Sequence, residues 1–271
     1  MHGGDAPDKG NEVGGSIRVI RTLLRLKGKY PDRVELLLGN RDVNKIRFTS
    51  ELADSQFEPG RLASIPGPFW VPPTKRATPL SYIAAKCGVP ESELTKSQRQ
   101  QHNTLANRIR YLLKETMGSQ GEFERRQREL TQLNGGREAT EEETCASFVE
   151  SVKPGGFMYR YISEGKLAAL IDDTLYVHGG VICSDYRNDA VDCVGYIPGR
   201  NERIERMDEW VAALNAWKDE QVRDWTACPE WEDPDKNNGF FAESGHKRGG
   251  YRLLDGEYIG PNCEPSVVMG R

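Results

Sequence analysis

Long apolar runs are missing from this chain: none of its 271 residues stands in a hydrophobic stretch approaching the ~18 that a membrane span requires. The opening MHGGDAPDKG has neither the basic start nor the apolar stretch of a signal peptide. Cysteine is scarce, six in all, with no C-x-x-C pair, which argues against a disulfide framework or a zinc ribbon and makes a reducing, cytoplasmic setting the expectation. An excess of positive charge is lacking as well. There are 37 Lys and Arg against 41 Asp and Glu, a net charge of −4, and no basic run exceeds Lys75-Arg76 or Arg125-Arg126. Neither nucleic acid nor a membrane is therefore an expected partner. What is present, 37% hydrophobic and 29% charged residues, reads as a soluble globular protein with ample length for a buried core.

The apolar pattern divides the chain. Ile17, Ile20, Leu23, Leu24 and Leu26 recur near helical spacing over 14–30, with Ser16 as the expected N-cap and Pro31 beyond the end. Residues 33–38 form a short apolar run that stops at Gly39-Asn40, the pattern of a buried strand opening into a loop. Seven prolines between Pro59 and Pro90 break the periodicity and predict an irregular insertion or cap, extending with the helices that follow it over about 50–140. Helices are predicted over 103–117 and 121–133, the second ending at Asn134-Gly135-Gly136, and from Glu141 to Val152. Leu167–Ile171 and Leu175–Val177, joined by Asp172-Asp173-Thr174, predict a hairpin feeding His178. Over 202–225, Ile204, Met207, Val211, Leu214 and Trp217 mark one helix whose aromatic stripe is expected to be core. Alternating helices and buried strands point to an α/β class.

Three segments place metal-type or phosphate-type groups beside strand ends: Gly4-Asp5-Ala6-Pro7-Asp8-Lys9-Gly10, Gly39-Asn40-Arg41-Asp42 and Tyr176-Val177-His178-Gly179-Gly180. In open α/β sheets ligands gather at the carboxyl ends of strands. A carboxylate can bridge two divalent cations, and Asn and His complete their shells. Two such ions polarise a phosphoryl oxygen and generate a nucleophile at neutral pH. Singly each segment is equally a turn or a structural histidine; together, in this order, they point to phosphoester hydrolysis.

Gly-Asp-x-x-Asp-Lys-Gly, then Gly-Asn-Arg-Asp, then Val-His-Gly-Gly, resembles the ordered blocks of the calcineurin-like metallophosphoesterase superfamily over residues 3–47 and 165–182. The resemblance implies a four-layer α/β/β/α sandwich spanning 1–271 as a single domain, with two divalent ions (manganese, iron or zinc) and a phosphorylated protein or small molecule as substrate. It implies Asp5, Asn40, His178 and His246 as metal ligands, Asp8, Arg41 and Asp42 as catalytic-site residues, and Lys9 and Arg41 as substrate-binding residues. It also implies an alternative, a catalytically silent binding or scaffold protein on the same fold, because three blocks depart from the pattern. No Asp-x-His block precedes Asp5, and His2 stands too close to replace it. Arg41 takes the place of a histidine, cannot act as a general acid at ordinary pH, and is suited instead to holding a phosphate, with Asp42 as its ion-pair partner. The terminal Gly-His-x-His block is reduced to Gly245-His246. With its first motif at residue 4 and a strand-like ending at Val267-Val268, the chain is expected to be an incomplete domain.

Overall fold

Leu36, Leu37 and Leu38 are at most 1% exposed because they form the middle of a small sheet. The computed structural model describes residues 1–8, 10, 12, 14–58, 60–68, 71–183, 191–192, 194–232, 248–254 and 267. His2 bridges Leu36 in parallel, Leu37 bridges Lys166 in parallel, and β1 (Ala168–Ile171) pairs antiparallel with β2 (Thr174–Val177). Four segments thus lie in the order 1–3, 35–38, 166–171, 174–177. A further short pair, β3 (Ile182–Cys183) and β4 (Val191–Asp192), is antiparallel. The expected hairpin is present, its two-residue turn closed by Asp172 in a left-handed conformation (φ 53°).

Helices supply most of the remaining regular structure, so the chain is mixed α/β. In order they are α1 (Ser16–Lys29), α2 (Asn40–Val43), α3 (Arg47–Glu51), α4 (Arg61–Ser64), α5 (Pro79–Cys87), α6 (Lys96–His102), α7 (Leu105–Tyr111), α8 (Glu122–Leu133), α9 (Glu141–Ser151), α10 (Phe157–Glu164), α11 (Met207–Ala227) and α12 (Tyr251–Leu254). The stretch expected to be irregular holds α4, α5 and α6. Thr78 and Thr95 each close a capping box, with Ser81 and Gln98, and Pro79 occupies the first turn of α5, where its missing N–H costs nothing.

Helix α11 carries the aromatic stripe into the core. Trp210, Leu214, Trp217 and Trp225 are at most 3% exposed, each burying apolar area worth about 2 kcal/mol or more. The indole N–H groups still find acceptors, Trp210 at the Tyr196 carbonyl (2.8 Å) and Trp225 at Thr49 Oγ1 (3.0 Å). Asn215, on the same helix, ties it to the third segment of the sheet: its amide donates to the Ala168 carbonyl (2.8 Å) and its oxygen accepts from Leu167 N–H (2.9 Å). The helix begins at Met207, so Ile204 lies before it.

The start of α1 differs from expectation. Ser16 is its first residue and not its cap; the preceding Gly15 has no side chain to offer. The orphan donors are met by Glu129 of α8, which accepts from Ile17 N–H (3.1 Å), Arg18 N–H (3.0 Å) and the Ser16 hydroxyl (3.3 Å) while itself fully buried.

Lys45 and Arg47, which could be taken for a solvated helix start, are 1% and 2% exposed. Arg47 grips Glu51 through two bonds (2.7 and 2.9 Å), and Arg248 joins it (3.0 Å). Burial works against the Glu51 carboxylate, but the two guanidiniums outweigh it and hold its pKa below the ordinary carboxylate value. A depressed folded-state pKa adds stability above the unfolded pKa of about 4.5 that is lost as pH falls through the folded value. Urea unfolding followed from pH 7 to pH 3 should show stability dropping at the acid end, and Glu51→Gln should flatten that drop; an unchanged slope would contradict the assignment.

Candidate functional site

The sheet register brings the three motif segments to one level. His2 opposite Leu36 sets Gly4 level with Leu38; Leu37 opposite Lys166, and Ala168 opposite Val177, set His178 there too. The hairpin overshoots this row and returns to it, so His178 arrives from an antiparallel strand. The approach is close enough to require glycine. A Cβ on Gly39 would fall onto Asp5 Oδ1 and within 2.8 Å of His178 Cε1, and one on Gly4 (φ 94°) would stand 2.6 Å from His178 Nδ1.

Asp5 is the centre of the arrangement. Its backbone is left-handed (φ 58°), uncommon for a residue with a side chain. Arg41 N–H donates to Oδ1 (3.0 Å), the Arg41 guanidinium stands 3.7 Å from Oδ2, and His178 Nε2 lies 3.5 Å from Oδ1. On its other side the His178 ring meets the Gly3 carbonyl through Nδ1 (2.6 Å). A carbonyl only accepts, so Nδ1 carries the proton, and in the neutral ring Nε2 presents its lone pair toward Asp5.

Asp42 holds the loop in place. Fully buried, it accepts N–H bonds from Gly39 (2.6 Å), Asp5 (2.8 Å) and Ala6 (3.0 Å). Burial pushes its carboxyl up to about 7, against the pull of the Gly39 and Asp5 N–H groups and of Lys45. It is therefore not the partner of Arg41, as expected from sequence. As the third residue of α2 it turns back onto the helix start, and the guanidinium reaches Asp5 instead.

Asp8 sits apart from this group. Its side chain is closed off from solvent, and Oδ2 receives Lys45 Nζ (2.7 Å) and Ser119 Oγ (2.5 Å). Asn40 opens α2 beside Asp5, and no hydrogen bond engages its side chain among the described residues. Lys9 and His246 lie outside the described residues.

Two residues play other parts than the sequence suggests. Lys45, which by its place after Asn40 could line the site or belong to a solvated helix start, instead pairs with buried Asp8. His2, set aside as too near Asp5, lies in the sheet, where its Nδ1 meets Gly4 N–H (3.3 Å) and the Tyr161 hydroxyl (3.1 Å). Burial first, then the chain terminus and His178, lower its pKa, so the ring is biased toward neutrality beside the Asp5 group.

The donor set suits a cation in part. Ligands about 2.1 Å from a tetrahedral ion lie about 3.4 Å apart, close to the 3.5 Å between Asp5 Oδ1 and His178 Nε2. The Nδ1 contact to a backbone carbonyl is the support a metal-binding histidine ordinarily has. Asp5 and His178 thus fit as two ligands of one divalent ion, and Asn40 opens the helix that begins beside them. They do not supply two shells: among the described residues no group of three or more His, Cys, Asp or Glu is placed to hold a metal.

Compared with protein-family models, with curated proteins and with solved structures, the chain matches none of them. Among the described residues, no helix is long and apolar enough to cross a membrane.

Proposed function

We propose that the chain is a metal-dependent phosphoesterase of the calcineurin-like type, acting on phosphate esters of a protein or small molecule. The observation that supports it is the convergence of Asp5, His178 and the Asn40 helix start on one point, with a guanidinium beside them. In this reading the four-segment sheet belongs to a four-layer α/β/β/α sandwich, and Asp5, Asn40 and His178 would hold a divalent ion.

A divalent cation here supplies Lewis-acid polarisation of a phosphoryl oxygen. The protein's own groups do the positioning. Arg41 offers a planar fork to the non-bridging phosphate oxygens and offsets charge as it builds up in the transition state. It stays protonated, so the leaving oxygen takes its proton from elsewhere. Asp42 fixes the backbone of Asp5 and Gly39, Gly3 fixes the His178 ring, and Lys9 would add a point charge. Asp8, sealed against Lys45 and Ser119, braces the loop from behind.

A second reading, a phosphate-binding protein without catalysis on the same fold, is favoured by one contact. Arg41 stands 3.7 Å from the carboxylate a bridging metal would use, and so competes with a cation for it.

Purified full-length chain assayed with manganese and an aryl phosphate separates the two. Hydrolysis that drops by about a hundredfold or more in Asp5→Asn and His178→Ala is the expected result. Hydrolysis untouched by both substitutions would overturn the assignment, whereas a chain that binds phosphate, holds no transition ion and hydrolyses nothing would be the binding protein.

A further inference from the structure

Two arginines in the insertion have no role in the site above. Arg108, on α7, is 2% exposed, and among the described residues nothing hydrogen-bonds its buried Nε and Nη1. Arg61, at the start of α4, likewise buries Nε and Nη2 without a partner, the two nitrogens that form the side-on fork of a guanidinium. The two lie close enough for the Arg61 charge to act on Arg108. The Arg108 guanidinium lies 5.6 Å over the Phe57 ring, Phe57 ends the 3-10 turn Asp54–Phe57, and that turn packs on α4.

Among the described residues no carboxylate answers them. Glu51 feels Arg108 but is already shared by Arg47 and Arg248. Asp54 and Glu58 are exposed, and among the described residues no ion pair joins them to either arginine. Burial pushes the Arg108 guanidinium down to about 10, with Tyr111 and Glu51 pulling it up and Arg61 pushing it down further. Buried, unpaired guanidinium nitrogens destabilise a fold, and where a chain keeps several together they call for a ligand.

We propose that Arg61 and Arg108 form a binding site for a phosphate-type dianion, free or carried as a monoester, built from α4, α7 and the Asp54–Phe57 turn. None of these elements carries Asp5, Asn40 or His178, and the site does not depend on the phosphoesterase reading. A dianion matches two like charges with unpaired N–H groups, the side-on fork of Arg61 and the separate Nε and Nη1 of Arg108, whereas a single carboxylate would leave one of them unanswered.

The test is calorimetric titration of the full chain with inorganic phosphate and, in a parallel arm, O-phosphoserine, at constant ionic strength with chloride as control, together with thermal unfolding. Saturable binding and a phosphate-dependent rise in Tm are expected. Arg61→Gln and Arg108→Gln should each weaken binding about tenfold to a hundredfold, without lowering the Tm measured in chloride alone. Arg41→Ala should leave this binding in place. Tighter binding of phosphoserine assigns the site to a monoester, tighter binding of phosphate to the free anion, and either supports the proposal. Arg108→Gln alters a buried position; Arg61→Gln, only partly buried, provides the independent check. Binding unchanged in Arg61→Gln, all binding lost in Arg41→Ala, or none above chloride would overturn it.

Discussion

Lys45→Met should lower the unfolding free energy by about 3–5 kcal/mol, the range for removing one partner of a buried ion pair. Lys45 is 1% exposed and lies 2.7 Å from Asp8 Oδ2; among the described residues the only other donor there is the Ser119 hydroxyl, and none reaches Asp8 Oδ1. Without the ammonium, Asp8 is left as a carboxylate in a place water does not reach. Glu122 aggravates this: burial raises its pKa, and Asp8 contributes to the rise. The loss should therefore be largely reversed in Lys45→Met/Asp8→Leu, which removes both charges. Urea unfolding of wild type, both single variants and the double variant forms a complete cycle. If Lys45→Met cost less than about 1 kcal/mol, the pair would not be the closed, water-free contact described.

Asp42→Ala should be as damaging, at about 4 kcal/mol or more. Three backbone N–H groups, of Gly39, Asp5 and Ala6, depend on this one side chain, and each buried donor left unmet costs about 1–3 kcal/mol, less whatever water recovers. Asp42→Asn should fall between, because its amide can accept through one oxygen only and turns its own N–H groups toward a donor. The effect should reach function as well. Asp42 holds Asp5 in its left-handed backbone, so if Asp5 binds manganese as proposed, that affinity should fall at least about tenfold in Asp42→Asn even where the protein remains folded. Chemical unfolding and metal titration on the same preparations check both parts. An Asp42→Asn chain that binds manganese as tightly as wild type would remove Asp42 from the positioning of the site.

How far the sequence foretold this follows from the range of the forces involved. Leu36–Leu38 stopping at Gly39, the Asp172-Asp173 turn and the Asn134-Gly135-Gly136 helix end are local signals, and local signals were readable. Thr78 with Ser81 and Thr95 with Gln98 were equally local, yet prolines taken as breakers obscured them, although Pro79 starts a helix. The partners of charged residues were not readable. Nothing near Lys45 or Asp8 in the chain points to the other, 37 residues away, so the sequence leaves this lysine equally open to lining the site or to a solvated helix start. Asp42 was given to Arg41 because they are neighbours, whereas helix geometry turns their side chains apart. In the site, the order of Asp5, Asn40 and His178 was legible as a motif; that His2 shares their sheet depends on a pairing across 34 residues that no periodicity reveals.

The capping of α1 by Glu129 gives the helix an incomplete beginning of its own. With no acidic residue in its first turn and a glycine before it, α1 lacks the local means to hold its N-terminus closed. It gains them only when a residue more than a hundred positions later arrives. Closing so long a loop is entropically slow, and the first turn of α1 therefore belongs, in the order of folding, with α8 and not with the strand that follows it. The site loop ahead of α1 and the insertion that ends in α8 are in this way made to order together.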